Sequence, residues 1–361
     1  MWGRRKLNIN RKINFISRGC MLTLLCVILL SGCTKEVKNT KVEEENEKIL
    51  VGFSMGTLME DRWLRDRDIF MSMAKKEGME VIFNNANKNS DLQYKQVLEM
   101  IDLNIDVLVI APNNSNTEAR CVKAAKDKGI PVISYDRLIF DSNVDAYISF
   151  DNEYIGNTMG RYVLGKVPKG NYMLVNGSVD DSNSQMISAG YMGVLGRSID
   201  NGNIKILSET NINGWIREDA RIFVANQLGI MKIKEEKVDV IICGNDSLAR
   251  GVIEALSEAQ VANDVIVIGQ DADLVACQYL VSGKQSMTIY KPIANLVART
   301  VEACVQLAKG EKIIGAYQYN DGTYEVPFIK VDAIQVTKEN LDETVIKDGF
   351  HLKSDVYGTL E

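Results

Sequence analysis

The sequence predicts an α/β protein made of two similar lobes, each a parallel sheet covered by helices on both faces. From Lys48 onward, short runs of β-branched residues alternate with amphipathic stretches of helical length. This alternation is typical of parallel strands joined by crossover helices. The unit occurs twice, and each set has about the length of one doubly wound domain. Two lobes are therefore favoured over a single sheet of about ten strands.

The first set has the order βαβαβαβ. Its helices carry apolar faces, such as the face formed by Val97, Met100 and Ile101. The predicted strands are Ile49–Ser54, Glu80–Asn84, Val107–Ala111 and Val132–Tyr135.

The second set begins after a further short strand at Tyr147–Phe150. Its predicted strands are Tyr172–Val175, Ile204–Leu207, Val238–Cys243, Val265–Gly269 and Met287–Tyr290. One more helix is predicted from Ile293 to Ala308, and the polar segment Gly310 to Glu361 has no regular pattern. Because no Pro-rich or Gly/Ser-rich linker separates the two sets, we expect a tight hinge that the chain crosses several times.

The first 32 residues have the layout of a secretory signal. Six basic residues and no acidic ones accompany an apolar run from Met21 to Leu30. That run is too short to cross ~30 Å of hydrocarbon comfortably as a helix. It ends in Leu30-Ser31-Gly32-Cys33, which resembles the bacterial lipoprotein processing box and implies a lipid on Cys33, followed by a charged tether to residue 47. An uncleaved membrane anchor is the alternative, and both place the folded part outside the membrane.

The charge of the chain argues against nucleic acid as a partner. Loss of the signal removes six positive charges and takes the formal net charge from −6 to −12. An acidic surface of this kind repels phosphates.

The cysteines and the single histidine offer little for metal or covalent chemistry. Cys20 and Cys26 leave with the signal, and the other cysteines after Cys33 lack Cys-x-x-Cys spacing; they are Cys121, Cys243, Cys277 and Cys304. We expect them to be small buried side chains, with a disulfide as the alternative that an exported protein permits. His351 is the only histidine, so no imidazole-based metal cluster is expected.

Polar side chains follow most of the predicted strands. Ligands of open α/β sheets bind beyond the carboxyl ends of the strands, so these residues are candidates for a site. They include Asp136-Arg137, Asn245-Asp246, Asp271, Lys291 and the loop with Asp180, Asp181 and Asn183. Helix capping explains such Asp and Asn residues individually, and we assign it to Asp246 and Asp273. Capping does not require Arg or Lys, so the set as a whole indicates a cleft shared by both lobes.

These residue types suit a sugar. A hydroxyl group both donates and accepts, and leaving one unpaired costs ~1–3 kcal/mol, so carboxylates, amides and cations are all useful. Flat aromatic rings cover the apolar C–H faces of a pyranose. Trp63 and Trp215 both lie in polar surroundings near strand ends, although packing is the alternative role for either ring.

The chain resembles the type I periplasmic sugar-binding proteins of ABC importers, and within them the D-xylose-binding proteins. The resemblance extends from about Lys48 to His351. Its most specific segments are Asp61-Arg62-Trp63, Arg65-Asp66-Arg67-Asp68-Ile69-Phe70, Asp106–Ile110, Tyr135-Asp136-Arg137 and Tyr147–Glu153. Also similar are Asp239–Asp246, Gly269–Leu274, Met287–Ile293 and the ending Thr344–His351.

The resemblance implies a set of sugar-contacting residues and no catalytic residue, cofactor or metal. The implied residues are Arg62, Trp63, Asp136, Arg137, Asp181, Asn183, Trp215, Asn245, Asp271 and Lys291. Two loops depart from the family pattern. The loop Ser178–Ser184 has a different amino-acid sequence from that usual in the family, and the loop Met55–Met59 lacks the acidic residues expected there.

The resemblance also implies a type I periplasmic-binding-protein fold with two Rossmann-like lobes. We expect an N-terminal lobe of residues 48–150 plus 292–322 and a C-terminal lobe of 151–291 plus 323–361, preceded by the signal at 1–32 and the tether at 33–47. The lobes would close on one monosaccharide, with D-xylose favoured. The protein would act extracytoplasmically, anchored to the cell membrane by its lipid, and deliver the sugar to an ABC permease.

Three alternatives remain open at this point. The same pocket would serve a sensor that docks on a membrane histidine kinase or chemoreceptor. An enzyme with Asp136 and Asp271 as a glycosidase pair is a weaker alternative, since the site is built for equilibrium binding. A repressor of this fold would need a DNA-binding headpiece before Lys48, where the signal and tether lie.

Overall fold

The computed structural model describes residues 48–314 and 317–358, apart from the side chain of Asp61. The predicted signal, the lipid site at Cys33 and the tether up to residue 47 lie outside the described residues. Within the described residues, none of the helices combines the length and the apolar character that crossing a bilayer requires.

Thirteen strands run through the described residues, and the strands predicted from the sequence are all present with bounds that differ by a few residues. The strands are β1 Leu50–Met55, β2 Glu80–Asn85, β3 Val107–Ala111, β4 Val132–Tyr135, β5 Ala146–Phe150, β6 Gly170–Asn176, β7 Ile204–Asn211, β8 Val240–Cys243, β9 Ile266–Ile268, β10 Thr288–Tyr290, β11 Tyr317–Asn320, β12 Glu325–Val331 and β13 Ile334–Val336.

Ten α-helices connect these strands in the described part of the chain. They are α1 Asp61–Lys76, α2 Ser90–Asp102, α3 Ala119–Lys126, α4 Asn152–Lys166, α5 Ser182–Asp200, α6 Arg217–Lys234, α7 Asp246–Glu258, α8 Leu274–Ser282, α9 Ile293–Ala308 and α10 Lys353–Tyr357. Polar side chains fix several helix starts: Asn89 accepts the N–H of Leu92 at 2.9 Å, and Asp151 accepts the N–H of Tyr154 at 3.0 Å.

The larger sheet has the strand order β11-β12-β5-β4-β3-β1-β2, and every pair is parallel except the antiparallel edge pair β11 and β12. Successive residues of β3 belong to different cores. Val107 and Val109 pack on the side of α1 and α9, whereas Leu108 and Ile110 pack on the side of α2 and α3. Both faces of this sheet are therefore covered by helices, as a parallel sheet requires.

The second lobe repeats this plan with a sheet of order β7-β6-β8-β9, all parallel. Strands β10 and β13 form an antiparallel pair that continues this sheet through a parallel bridge between Ile268 and Met287. Helices α4 and α5 cover one face, and α6 and α7 cover the other. The prediction of two doubly wound lobes is confirmed.

The chain passes between the two sheets three times. The passages follow β5, β10 and β12, at residues 150–152, 290–293 and 331–334. The last one differs from the expected boundary at 322, because β12 pairs in parallel with β5 and so belongs to the larger sheet. The division into lobes remains a proposal, with residues 323–331 moved to the N-terminal lobe on this evidence.

The segment after Gly310 forms the pair β11 and β12, strand β13, a π-helical turn at Asp342–Ile346 and helix α10. Its strands gave no clear pattern in the sequence because β11 is an exposed edge with little apolar periodicity. Cys121, Cys243, Cys277 and Cys304 are all buried and unpaired with one another, which confirms their expected role as small core side chains.

Candidate ligand-binding site between the lobes

A cavity with about 320 Å³ of empty space lies between the two sheets. Its lining comprises Glu60, Arg62, Trp63, Asp136, Arg137, Asp181, Asn183, Trp215, Asn245, Gln270, Asp271 and Lys291. All ten residues expected from the sequence are among these. The structure therefore brings the predicted residues of both lobes together around one space.

The topology explains why distant residues meet here. The lining residues lie beyond the carboxyl ends of strands, and those ends face one another across the cleft. The N-terminal lobe contributes the loops after β1 and β4. The C-terminal lobe contributes the loops after β6, β7, β8 and β9, and Lys291 follows β10 at the second passage between the sheets.

Arg62 is a buried cation shared by both lobes. Its Nη2 donates to Asp136 Oδ1 at 2.7 Å, and its Nε lies 3.5 Å from Asp66 Oδ2 behind it. Its Nη1 lies 3.8 Å from Asp271 Oδ1 of the opposite lobe. Burial alone would lower the pKa of Arg62, but the three carboxylates outweigh burial and raise this pKa well above its ordinary value.

Asp136 and Asp271 occupy equivalent positions in the two lobes. Each has a left-handed backbone, with φ of 64° and 103° respectively. Each also donates its N–H to the neighbouring strand, to the carbonyl of Ile148 at 2.8 Å and to that of Ile289 at 2.7 Å. A non-glycine residue with positive φ is costly and persists only where its surroundings fix it, and such residues cluster at functional sites.

A second polar group links the lobes beside Arg62. Arg137 Nε lies 2.8 Å from Asp181 Oδ2, and the indole N–H of Trp215 donates to the same oxygen at 3.1 Å. Asn183 donates from Nδ2 to Asp136 Oδ2 at 2.9 Å across the cleft. Asp181 also accepts the backbone N–H of Asn183 at 2.9 Å as the cap of α5. One residue therefore both caps a helix and lines the cavity.

The indole of Trp215 lies on a floor made by two glycines. A Cβ at Gly177 would lie 2.0 to 2.3 Å from its ring atoms, and a Cβ at Gly244 would lie 2.9 Å away. No side chain fits at either position while the ring stays in place. These glycines follow β6 and β8, so the fold itself fixes the ring at the wall of the cavity.

Trp63 provides the corresponding ring in the N-terminal lobe. The guanidinium of Arg62 lies 4.3 Å from its ring centre and that of Arg137 lies 5.0 Å away. Cations in this position interact favourably with the negative face of an aromatic ring. The ring and both cations thus stabilise one another at this side of the cavity.

Two buried acceptors in the cavity wall accept no hydrogen bond from the described residues. They are Glu60 Oε2 and Gln270 Oε1. Lys291 Nζ lies 3.2 Å from Asp271 Oδ1 as an ion pair, and Gln270 is oriented by the bond from its Nε2 to the carbonyl of Gly244 at 2.7 Å. A buried acceptor without a donor costs about 1–3 kcal/mol, and a ligand that carries hydroxyl groups would remove that cost.

The charges of the cavity nearly balance. Three cations face four carboxylates, which belong to Glu60, Asp136, Asp181 and Asp271. Burial opposes ionisation of Asp136, but Arg62, Lys291 and Arg137 outweigh burial and hold the pKa of this carboxyl below its ordinary value. Because the charges are mutually paired, the cavity suits a neutral polar ligand better than a charged one.

The sequence reasoning missed three residues of the site. Glu60 and Gln270 line the cavity, and both stand directly beside residues that the sequence singled out. Extending each strand-end segment by one or two residues would have included them. Asp66 lies behind Arg62 and accepts a short hydrogen bond from the hydroxyl of Tyr135. Its role depends on packing, which the sequence does not show.

One predicted cap is wrong. The side chain that caps α7 is Asn245, which accepts the N–H of Leu248 at 3.0 Å. Asp246 is the first helical residue, and its carboxylate accepts bonds from Gln285 and Thr288, both at 2.7 Å. Burial, together with nearby Asp273, raises the pKa of Asp246 well above its ordinary value. Asp273 occupies the N-cap position of α8, but its side chain makes no capping hydrogen bond to that helix.

Two doubly wound lobes that enclose a polar cavity define a solute-binding protein of the two-lobed kind. The chain belongs to the periplasmic binding protein domain family, whose pattern it matches over residues 51–312. Its fold is that of the type I periplasmic sugar-binding proteins. The family resemblance seen in the sequence is thus confirmed.

The relatives include two proteins named as D-xylose-binding. The D-xylose-binding periplasmic protein of Haemophilus influenzae is 38% identical over 340 residues, which cover 94% of this chain and 99% of that protein. The protein of the same name from Escherichia coli is 38% identical over 329 residues, which cover 91% of this chain and 98% of that protein.

Two solved structures share the fold at lower identity. An ABC transporter solute-binding protein from Clostridium phytofermentans, with bound β-D-glucose, has a TM-score of 0.79 and 29% identity, covering 85% of this chain and 99% of that chain. A carbohydrate transporter solute-binding protein from Chloroflexus aurantiacus, in complex with D-glucose, has a TM-score of 0.80 and 27% identity, covering 86% and 98%.

Substituting Gly177 with alanine should displace the indole of Trp215. The new Cβ has no space beside the ring, so we expect a changed tryptophan fluorescence spectrum and a loss of about 1–3 kcal/mol in the free energy of unfolding. Fluorescence and urea unfolding measure the two effects. Gly193→Ala on α5 is the control, because its Cβ would meet open space and the helix should keep or gain stability. Equal behaviour of the two variants would contradict the packing argument.

Asp66 should make the stability of the protein depend on pH. Burial raises the pKa of Asp66 from 3.8 to about 6, although Arg62 partly offsets it. The folded state then binds a proton more tightly than the unfolded state between these values, so the free energy of unfolding falls as pH rises through this window. Asp66→Asn should lose this dependence.

Urea unfolding at pH 5 and pH 7 checks this expectation. Relative to Asp66→Asn, the natural protein should be more stable at pH 5 than at pH 7. The exposed Asp68 on the same helix provides the control, since Asp68→Asn should keep the natural dependence. The assignment fails if the Asp66 variant shows the same change between the two pH values as the natural protein.

Proposed function

We propose that this protein binds D-xylose in the cavity between its lobes and delivers it to an ABC importer. The observation that carries the proposal is the composition of the cavity wall. It combines buried, mutually paired charges, two indole rings and two acceptors that lack donors among the described residues. Such a wall suits a small neutral ligand with many hydroxyl groups and apolar C–H faces.

The chemistry of the wall supports a sugar over other small neutral molecules. Asp271 and Gln270 offer acceptors, whereas Arg62, Arg137 and Lys291 offer N–H donors. A hydroxyl group can satisfy both kinds of partner at once. The rings of Trp63 and Trp215 come from opposite lobes, so both can contact one sugar ring when the lobes are together.

The choice of D-xylose is supported by the relatives. Two relatives at 38% identity are named as binding D-xylose, and they align over nearly the whole chain. The two solved neighbours hold glucose, which has one more CH₂OH group than a xylopyranose.

Binding is proposed to act through closure of the lobes. Several polar contacts, such as Arg62 with Asp271 and Asn183 with Asp136, join groups from opposite lobes. A sugar that contacts both walls stabilises the closed form over the open one, since these contacts exist only when the lobes are together. Closure would then present one surface to the importer when sugar is bound and another when it is absent.

A titration of the soluble part of the chain, residues 34–361, tests the ligand. Isothermal calorimetry with D-xylose, L-arabinose, D-ribose and D-glucose should show the highest affinity for D-xylose. Trp215→Ala and Asp271→Ala should each weaken that binding by roughly 30-fold or more, since each removes a buried group at the centre of the site. Asp219→Ala, at an exposed position on α6, should bind as the natural protein does.

Thermal unfolding of each variant separates a lost contact from a lost fold. Near-natural affinity in both Trp215→Ala and Asp271→Ala would refute the site. If another sugar in the panel binds more tightly than D-xylose, the assignment of the site stands and the assignment of its ligand is wrong.

We also propose that Cys33 carries a lipid that holds the protein at the outer face of the cell membrane. The support is the sequence Leu30-Ser31-Gly32-Cys33 at the end of the apolar run. Cys33→Ser should abolish incorporation of labelled palmitate and release the protein from the membrane fraction. Retention of label in that variant would contradict the assignment, and Cys26→Ser serves as the control that keeps the label.

A further inference from the structure

Lys88 reaches across the cleft from the N-terminal lobe to the C-terminal lobe. Its Nζ donates a short hydrogen bond to the carbonyl oxygen of Gly214, which lies next to Trp215. The bond therefore joins the loop after β2 to the turn that holds the indole ring. Neither partner is a member of the polar groups at the centre of the cavity described above.

The backbone around Lys88 is fixed by the fold. Asn87 and Lys88 both have left-handed conformations, with φ of 49° and 62°. The N–H of Lys88 donates to the carbonyl of Gly56 at 2.7 Å, and that of Asn89 donates to Ala86 at 2.9 Å. Such a backbone is costly for residues with a side chain and persists because these neighbouring contacts determine it. The direction of the Lys88 side chain thus follows from the loop itself.

The acceptor on the opposite lobe is fixed as well. Gly214 and Trp215 form a tight turn, with φ of 69° and 56° respectively. In this turn the carbonyl of Gly214 and the indole ring of Trp215 point in different directions. The N–H of Trp215 donates to the carbonyl of Ile212 at 3.1 Å. A bond to Gly214 is therefore a bond to the unit that carries the ring.

Glu60 connects Lys88 to the cavity wall. Lys88 Nζ lies 3.7 Å from Glu60 Oε1, and Glu60 itself lines the cavity. Lys88 and Gly214 line a smaller adjoining pocket that shares Glu60, Arg137, Asp181 and Trp215 with the main one. The side chain of Lys88 is 24% exposed, which places it at the rim between the cavity and solvent.

We propose that Lys88 is a latch that holds the cleft closed and slows release of the ligand without contacting it. The inference rests on the proposed function, since it concerns the lifetime of the sugar complex. A bond between the lobes exists only in the closed form, whereas a ligand leaves from the open form. Removing the bond should therefore raise the dissociation rate constant and leave association from the open form nearly unchanged.

Stopped-flow tryptophan fluorescence on the full chain in detergent tests the latch, with D-xylose as the probe. Lys88→Met keeps the apolar stem and removes the donor, and it should dissociate roughly fivefold faster, as expected for one ordinary hydrogen bond. Lys88→Arg keeps a donor and should lie closer to the natural protein. Lys95→Met, at an exposed position on α2, makes the same charge change and should leave both rate constants unaltered.

Small-angle X-ray scattering without sugar gives a readout that does not depend on the ligand. Lys88→Met should scatter as a more open particle than the natural protein and Lys95→Met. If the natural protein fails to bind D-xylose, the proposed ligand is wrong, and the scattering comparison alone tests the role of Lys88. The latch is overturned if Lys88→Met changes neither the dissociation rate constant nor the scattering. It is also overturned if a slower association accounts for the whole loss of affinity in Lys88→Met.

Discussion

The whole site depends on one buried cation, Arg62, which lies among carboxylates from both lobes. A guanidinium removed from water is tolerated only where acidic partners surround it, and a buried charge that loses its partner is strongly destabilising. Asp66 and Asp136 provide partners from the lobe of Arg62, and Asp271 faces it from the other lobe. The stability of the closed cleft therefore depends on the ion pairs that Arg62 makes with both lobes.

The doubly wound topology supplies the rest of the arrangement. Parallel strands deliver their carboxyl ends to one edge, and two such sheets placed edge to edge converge on one volume. The corresponding aspartates Asp136 and Asp271 show that the two lobes use the same device, a left-handed residue tied to the next strand. Gly177 and Gly244 are also needed, because the indole ring of Trp215 packs directly on their backbone and leaves no space for a side chain.

Much of this could be predicted from the sequence, for a physical reason. Strands β1, β3, β4, β5, β8 and β10 are buried along nearly their whole length, so their residues form mostly apolar runs, and the polar residues that follow several of these runs mark the cleft. The exposed strand β11 and the short β13 have no such run, so the C-terminal segment remained unassigned and the last passage was placed too early. Asp66 and Lys88 were missed because their roles come from contacts between distant segments. A helical aspartate and a loop lysine have nothing in their local sequence to distinguish them.

The three passages of the chain between the sheets restrict how the molecule can move. The three short connections lie at residues 150–152, 290–293 and 331–334 and act together as one hinge. A single connection would let one lobe rotate freely relative to the other. Twisting or sliding of one lobe against the other would stretch at least one of them, so bending about a common line is the motion they permit most readily. The same redundancy makes the pair of lobes tolerant of damage: a protease that cuts one connection leaves two intact, and the halves stay in register.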